Sequence, residues 1–254
     1  MIGEFTLLEA VAIVVAGLAA GALNAVAGGA SLITFPTLVA VGVPPLSANV
    51  SNTIGLVPGA VTSVYGYRRE LAGLGDTLRR LVPATVLGAV VGVALLLAFP
   101  EAAFEAVVPF LVGLAVVLVL VQPWVARRAR SVAVPQGGHA PWLWAAVGLT
   151  GVYGAYFGAA QGVLLIGVLG LGTALGLQET NAVKNVLAGA ANVVAAVAYA
   201  VLAPVNWEAA ALVAVGSTLG GWVGARVARR LPVPVLRGVV VTVGVLALVV
   251  LLVN

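Results

Sequence analysis

Residues 23–32 read L-N-A-V-A-G-G-A-S-L and sit in the middle of an apolar run, residues 5–41, too long for one simple membrane helix. At 1.5 Å per residue, its 37 positions (5 to 41 inclusive) would reach nearly twice across a hydrocarbon core about 30 Å thick. Asn24, the pair Gly28 and Gly29, and Ser31 interrupt it, so the run reads as a helix broken into a hairpin or re-entrant pair. Backbone amides freed at a helix start inside hydrocarbon must find partners, and they stand at the positive end of a dipole, which suits an anion. Glycine lets the chain turn and lets a ligand approach the backbone closely. The competing reading is that these small residues only allow tight helix packing.

Outward from this stretch, 62% of the 254 residues are hydrophobic and 8% charged, with a mean hydropathy of +1.18. Ordinary soluble domains carry about 25% charged residues; this chain is an all-α polytopic membrane protein. The alternating strands of an outer-membrane barrel are absent. A net charge of +4 comes from Arg residues in short loops, where they are topology signals before anything else, so no nucleic acid is expected as partner. With no cysteine, disulfides, thiolate metal sites and cysteine nucleophiles are excluded. The start, M-I-G-E-F-T-L-L-E, has two acids and no Lys or Arg. It is unlike a signal peptide and is read as the mature end.

Eight hydrophobic segments can be marked: 5–41, 48–67, 81–99, 104–121, 142–175, 180–202, 207–227, and a last one running to the C-terminus. Segments one and five are overlong and broken, the fifth at 158–162 (G-A-A-Q-G). Each broken segment is followed by one with a polar start, A-N-V-S-N-T at 48–53 and T-N-A-V-K-N at 180–185, and then by plain helices. Setting Gly21 against Gly154 gives six identities in thirteen positions, Gly29 with Gly162 and Ile33 with Ile166 among them. The pattern suggests an internal repeat, with residues 1–122 as the expected first copy, a basic linker at 123–141 containing the lone His139, and residues 142–254 as the second. A lone loop histidine is taken as inert.

Charge sets the topology. Eleven of the twelve basic residues lie after segments two, four and seven, which the positive-inside rule places in the cytoplasm. Three single crossings between the loops after four and seven would put them on opposite sides. A chain reversal inside segment five removes the conflict, and the same reversal in segment one puts the N-terminus outside. The second repeat is then inverted relative to the first, which with paired broken helices is the mark of a secondary transporter whose site lies near the midplane.

Candidate binding residues follow from the breaks and from the polar starts. Asn24, Gly28, Gly29, Ser31, Gln161 and Gly162 belong to the breaks; Asn49, Ser51, Asn52, Lys184 and Asn185 belong to the polar starts. Amides, hydroxyls and one cation could bind a sulfonate- or carboxylate-like oxyanion without many buried charges. Against this stand helix capping by Ser, Thr and Asn and a Lys184 that snorkels to the interface or pairs there with Glu179. Asn192 is read either as a pathway residue or as a partner for a neighbouring helix. The Trp residues, with Tyr65 and Tyr67, read as interfacial belt. No nucleotide loop, metal cluster or nucleophile set occurs, so neither an enzyme nor a cofactor is expected, and no acid lies mid-segment where proton relays sit.

At these same residues the chain resembles the TauE/SafE family of sulfite and organosulfonate exporters, transporters of the 4-toluenesulfonate uptake permease type. The carriers are G-A-L-N-A-V-A-G-G-A-S-L-I-T-F-P at 21–36, V-P-P-L-S-A-N-V-S-N-T at 43–53, Y-G-Y-R-R-E-L at 65–71, G-A-Y-F-G-A-A-Q-G-V-L-L at 154–165, T-N-A-V-K-N-V-L at 180–187 and P-V-N-W at 204–207. The family's Gly-rich motif usually has three glycines; here the first break has Gly28-Gly29-Ala30 and the second Gln161-Gly162. The resemblance implies transport of small sulfur oxyanions or organosulfonates, usually outward.

The expectation is therefore a multi-pass protein of the cytoplasmic membrane moving a small anion by alternating access, with the lipid bilayer and that anion as its partners. Glycines and backbone amides would cradle the oxyanion, side-chain amides and hydroxyls orient it, and Lys184 supply charge. Two other readings stand beside it: a cation, metal or other organic-anion permease using unwound carbonyls, and a non-transporting scaffold whose Gly/Ala faces pack on a partner.

Overall fold

A computed structural model describes residues 4–26, 28–130 and 142–226 and six positions further on (238, 241, 242, 244, 245 and 248), with side chains except at 26, 123 and 125–130. The elements are α1 (Leu7–Val26), α2 (Ser31–Ala40), α3 (Pro45–Gly66), α4 (Gly75–Ala98), α5 (Glu101–Arg130), α6 (Leu143–Tyr156), α7 (Gln161–Gly172), α8 (Leu177–Leu202) and α9 (Trp207–Arg226). The fold is all-α. Among the described residues, five helices are long and apolar enough to cross a membrane: α1, α4, α5, α8 and α9. His139, most of the linker and most of the eighth hydrophobic segment lie outside the described residues.

Segments one and five each resolve into two helices, α1 with α2 and α6 with α7. Other ends differ from the sequence reading. Helix α3 starts earlier, at Pro45, because proline suits the first helical position, where an N–H has no partner anyway. Helix α4 begins at Gly75, so Arg79 and Arg80 ride its first turns, and α5 continues to Arg130. A helix needs only its middle to be apolar, and its polar ends project into water.

Close backbone approaches at small residues fix how the helices lie. A Cβ on Gly17 of α1 would meet Val213 and Gly216 of α9, and one on Gly21 would meet Ser217 and Gly221. The two numberings rise together, so α1 and α9 run parallel. Along α3, Gly55 lies at Val213, Gly59 at Ser217 and Gly66 at Ala225, so α3 is parallel to both. In the same way Gly88 and Gly92 of α4 lie against Val152 of α6, with Gly148 before it and Ala155 after it. Helix α8 runs the opposite way to α3, with Gly189 at Ala60 and Ala182 clustered with Tyr67. Lipid gives no hydrophobic drive between helices, and this close packing of small residues takes its place.

These registers require both hairpins. Helices α1 and α3 start at the same level, so α2 must carry the chain back. Gly172, the last residue of α7, packs on Leu143, the first of α6, so α7 returns as well. Helices α1, α3 and α9 start at one end of the bundle. Helices α4, α6 and α8 start at the other, where Leu81, Leu143 and Val183 share a cluster. Glu4, Glu101 and Glu208 lie at the first, acidic end; Arg68, Arg69, Arg79, Arg80 and Arg226 lie at the second, basic end. The parity conflict among the basic loops is removed by two hairpins that enter from opposite ends.

Outward faces are apolar. Leu8, Phe110, Leu149 and Val201 are each at least 70% exposed, as a surface that faces lipid requires.

Candidate functional site

The tips of the two hairpins meet. At the first, Gly28 has φ +78° and Gly29 +96°, a left-handed backbone that glycine adopts without steric cost. The turn is closed by the Gly28 N–H donating to the Leu23 carbonyl at 3.1 Å. A Cβ on Gly28 would lie 2.6 Å from the Gly162 Cα, and one on Gly162 would lie 2.7 Å from the Gly28 Cα. Backbone rests on backbone here, with no room for a side chain on either. Residue Gly29 aligns with Gly162 in sequence, but Gly28 is its partner in space. The return legs are short: α2 has 10 residues and α7 has 12, so they span roughly 15 and 18 Å.

Beside this crossing is a small cleft. Hairpin 1 (α1 and α2) contributes Asn24, Ala30 and Ser31; hairpin 2 (α6 and α7) contributes Gly158, Gln161 and Gly162; Leu56 of α3 and Ala188 and Asn192 of α8 complete the wall. The N-termini of α2 and α7 therefore border one cavity, and neither has a side-chain cap. Gln161 lines the cleft, and its Nε2 is buried without a hydrogen-bond partner among the described residues. Its carboxamide lies over Gly154, where a Cβ would be 2.1 Å from the Gln161 Cδ. None of the lining residues is acidic.

Lys184 is fully buried, which rules out a side chain snorkelling to the interface. Its Nζ donates to the Asn24 carbonyl at 2.7 Å, and its Cδ passes 3.3 Å from where a Gly162 Cβ would be. Since Asn24 borders the cleft, the ammonium stands one residue behind the wall. Glu179 does not pair with it; that carboxylate accepts the Gly176 N–H at 2.7 Å at the start of its own helix. A cation at the C-terminal end of α1 also complements that helix dipole.

The remaining candidates divide. Asn185 donates through Nδ2 to the Ala25 carbonyl at 3.3 Å. Asn52 donates to Ser31 Oγ at 3.1 Å and accepts from Thr34, so it orients a residue of the cleft from behind. Asn49 and Ser51 are elsewhere. The Asn49 Nδ2 donates to the Tyr156 carbonyl at 3.0 Å, and Ser51 Oγ accepts the Asn206 N–H at 2.8 Å. Both partners lie more than a hundred positions away in the chain, beyond the reach of local sequence reading.

Two residues of interest were not among the sequence-derived candidates. Asn192, weighed as a pathway residue, lines the cleft. Tyr199 is buried and its hydroxyl donates to the Ala155 carbonyl at 2.5 Å. A tyrosine near the end of an apolar helix must find a partner for its hydroxyl if buried, but no spacing rule names that partner.

The profile of the family described as sulfite exporter TauE/SafE matches residues 13–251. Among curated proteins, the "Probable membrane transporter protein ORF9" of Sinorhizobium sp is 26% identical over 236 residues, covering 91% of this chain and 87% of that one. The "Probable membrane transporter protein YfcA" of Escherichia coli strain K12 is 26% identical over 209 residues, 82% of this chain and 76% of that one. A "Probable membrane transporter protein" of Haemophilus influenzae is 34% identical over 97 residues, 38% of each chain. No solved structure gives a significant match.

Proposed function

This chain belongs to the sulfite exporter TauE/SafE family of membrane transporters, and from that premise we propose that it moves a small oxyanion, sulfite or an organosulfonate, outward across the cytoplasmic membrane. The observation that carries this reading is the cleft where two hairpin tips meet, bordered by two helix N-termini that no side chain caps and by Gln161, whose Nε2 has no hydrogen-bond partner among the described residues. Helix N-termini attract anions through their amides and dipoles. Lys184 is the one buried basic side chain among the described residues, and its charge weighs in the same direction.

In this reading Asn24, Ser31, Gln161, Gly162 and Asn192 face the cargo. Gly28 and Gly29 shape the cradle, Asn52 orients Ser31, and Lys184 with Asn185 holds the wall. The parallel pairs α1 with α9 and α4 with α6 support two inverted repeats, residues 1–122 and 142–254. The clustering of arginines at one end supports a cytoplasmic face there, with the N-terminus outside.

The test is a thermal-shift screen of the purified protein with sulfite, thiosulfate, sulfonates and carboxylates. An anion that binds the folded state raises the melting temperature in proportion to the logarithm of its excess over Kd. Stabilisation by sulfite or a sulfonate, lost in Lys184→Ala, is the expected result. A shift with Na⁺ or divalent cations in place of anions would overturn it.

A further inference from the structure

The last carbonyls of an interrupted helix have no intrahelical partner, and in hydrocarbon each must be met by a donor. In both hairpins that donor is a side chain from a long helix of the surrounding bundle. Asn24 and Ala25, at the end of α1, receive Lys184 and Asn185 of α8 at 2.7 and 3.3 Å. Tyr156 and Ala155, at the end of α6, receive Asn49 of α3 and Tyr199 of α8 at 3.0 and 2.5 Å. The two sets lie at opposite depths. Lys184 and Asn185 are in the second and third turns of α8, toward the basic end; Tyr199 is in its last turn and Asn49 in the second turn of α3, toward the acidic end.

We propose that these four side chains are the latches of two separate gates. Held by Lys184 and Asn185, the tip of hairpin 1 closes the cleft toward the basic end. Held by Asn49 and Tyr199, the tip of hairpin 2 closes it toward the acidic end. Asn49 and Tyr199 are positioning residues that do not touch cargo. Only the first latch is charged. An oxyanion in the cleft beside Asn24 competes with the Asn24 carbonyl for the Lys184 ammonium, and a bond in which both partners are ionised is stronger than one from the same ammonium to a neutral carbonyl. Cargo thus binds the unlatched hairpin 1 better than the latched one, which is the differential affinity a ligand needs to shift a conformational equilibrium. Hairpin 2, held by neutral groups, does not feel the cargo this way. The cargo step rests on the anion-transport reading; the existence of two sided gates does not.

The chain contains no cysteine, so Ala188→Cys, in the cleft wall, makes a clean reporter for a membrane-impermeant maleimide applied to intact cells or to inverted vesicles. Against that background, Asn49→Ala and Tyr199→Phe should each raise labelling from the acidic end, and Asn185→Ala from the basic end. The expected change is about fivefold, the population shift from losing one net hydrogen bond. Sulfite should raise basic-end labelling in the parent reporter and not in Lys184→Gln. Melting curves of every variant show that it is folded before it is scored. Labelling that is unchanged, or that rises equally from both ends, overturns the gates even if sulfite stabilises the protein. Sided labelling with no response to sulfite keeps the gates and removes the anion from the mechanism.

Discussion

Hairpins 1 and 2 solve the same physical problem with different chemistry. Each must turn the chain inside the bundle and find donors for the carbonyls it leaves open. Hairpin 1 turns through two glycines, Gly28 and Gly29, and is held by a lysine and an amide. Hairpin 2 turns through Gly158 and a left-handed Ala160 with φ +62°, and is held by an amide and a phenol. The difference is one of electrostatics: among the described residues a basic side chain stands behind the first tip and none behind the second, so the first tip is the one on which the proposed anion would act.

The largest expected effect separates the two turns. Gly28→Ala places a β-carbon in a left-handed conformation, about 1–2 kcal/mol, and drives it into the Gly162 backbone, which adds roughly 1–3 kcal/mol of overpacking. Gly158→Ala, at φ +77°, meets the Gly154 carbonyl at 3.0 Å and should cost little beyond the conformational part, about 1–2 kcal/mol. Thermal unfolding in detergent should therefore show the Gly28 variant as the less stable. Equal losses would mean that the tip-to-tip contact does not bear on stability.

A smaller effect separates the latches. Lys184→Ala and Asn49→Ala each leave one buried carbonyl without its donor, costing about 1–3 kcal/mol. Removing Lys184 should also weaken sulfite or sulfonate binding by roughly tenfold or more, since an anion's charge-assisted bond is lost; removing Asn49 should leave that affinity unchanged. Titration calorimetry on both variants checks this. If both lose affinity alike, charge is not what distinguishes the two hairpins.

The parts of this arrangement readable in advance are those that depend on local or summed properties. The breaks at 24–31 and 158–162 are legible because glycine and polar residues interrupt apolar runs. The opposed entry of the hairpins is legible because eleven arginines must share one side, a constraint that acts on the whole chain at once. Lys184 stands out as the one basic residue away from those clusters. The places of Asn49 and Ser51 are not legible in this way, for the converse reason. A polar residue at a helix start advertises that it needs a partner but not which one, and their partners, Tyr156 and Asn206, come from the other half of the chain. Tyr199 is silent in sequence for the same cause. The alignment pairs Gly29 with Gly162, yet the turn puts Gly28 against Gly162; one residue of slip in a hairpin tip is decided by the turn's dihedrals, which no identity count contains.

The finest test uses Gly21 and Gly154, which occupy equivalent places in the sequence alignment of the two breaks. A methyl on Gly21 would lie 2.3 Å from the Ser217 carbonyl oxygen of α9. Backbone cannot yield there, so α1 and α9 must move apart, and Gly21→Ala should lower stability by about 1–3 kcal/mol without reaching the cleft. A methyl on Gly154 first meets the end of the Gln161 side chain, at 2.1 to 2.4 Å. That carboxamide can swing away by rotating about its own side-chain bonds, so Gly154→Ala should cost at most about 1 kcal/mol, the low end of overpacking. The amide that swings is the one whose Nε2 has no hydrogen-bond partner among the described residues. Its displacement should change anion affinity by about threefold to tenfold, or roughly 0.6–1.4 kcal/mol, a change as large as or larger than the loss of stability. Melting and calorimetry on the two variants should thus give opposite orderings: Gly21→Ala worse for folding, Gly154→Ala worse for binding. The same ordering in both measurements would show that Gln161 takes no part in holding the anion.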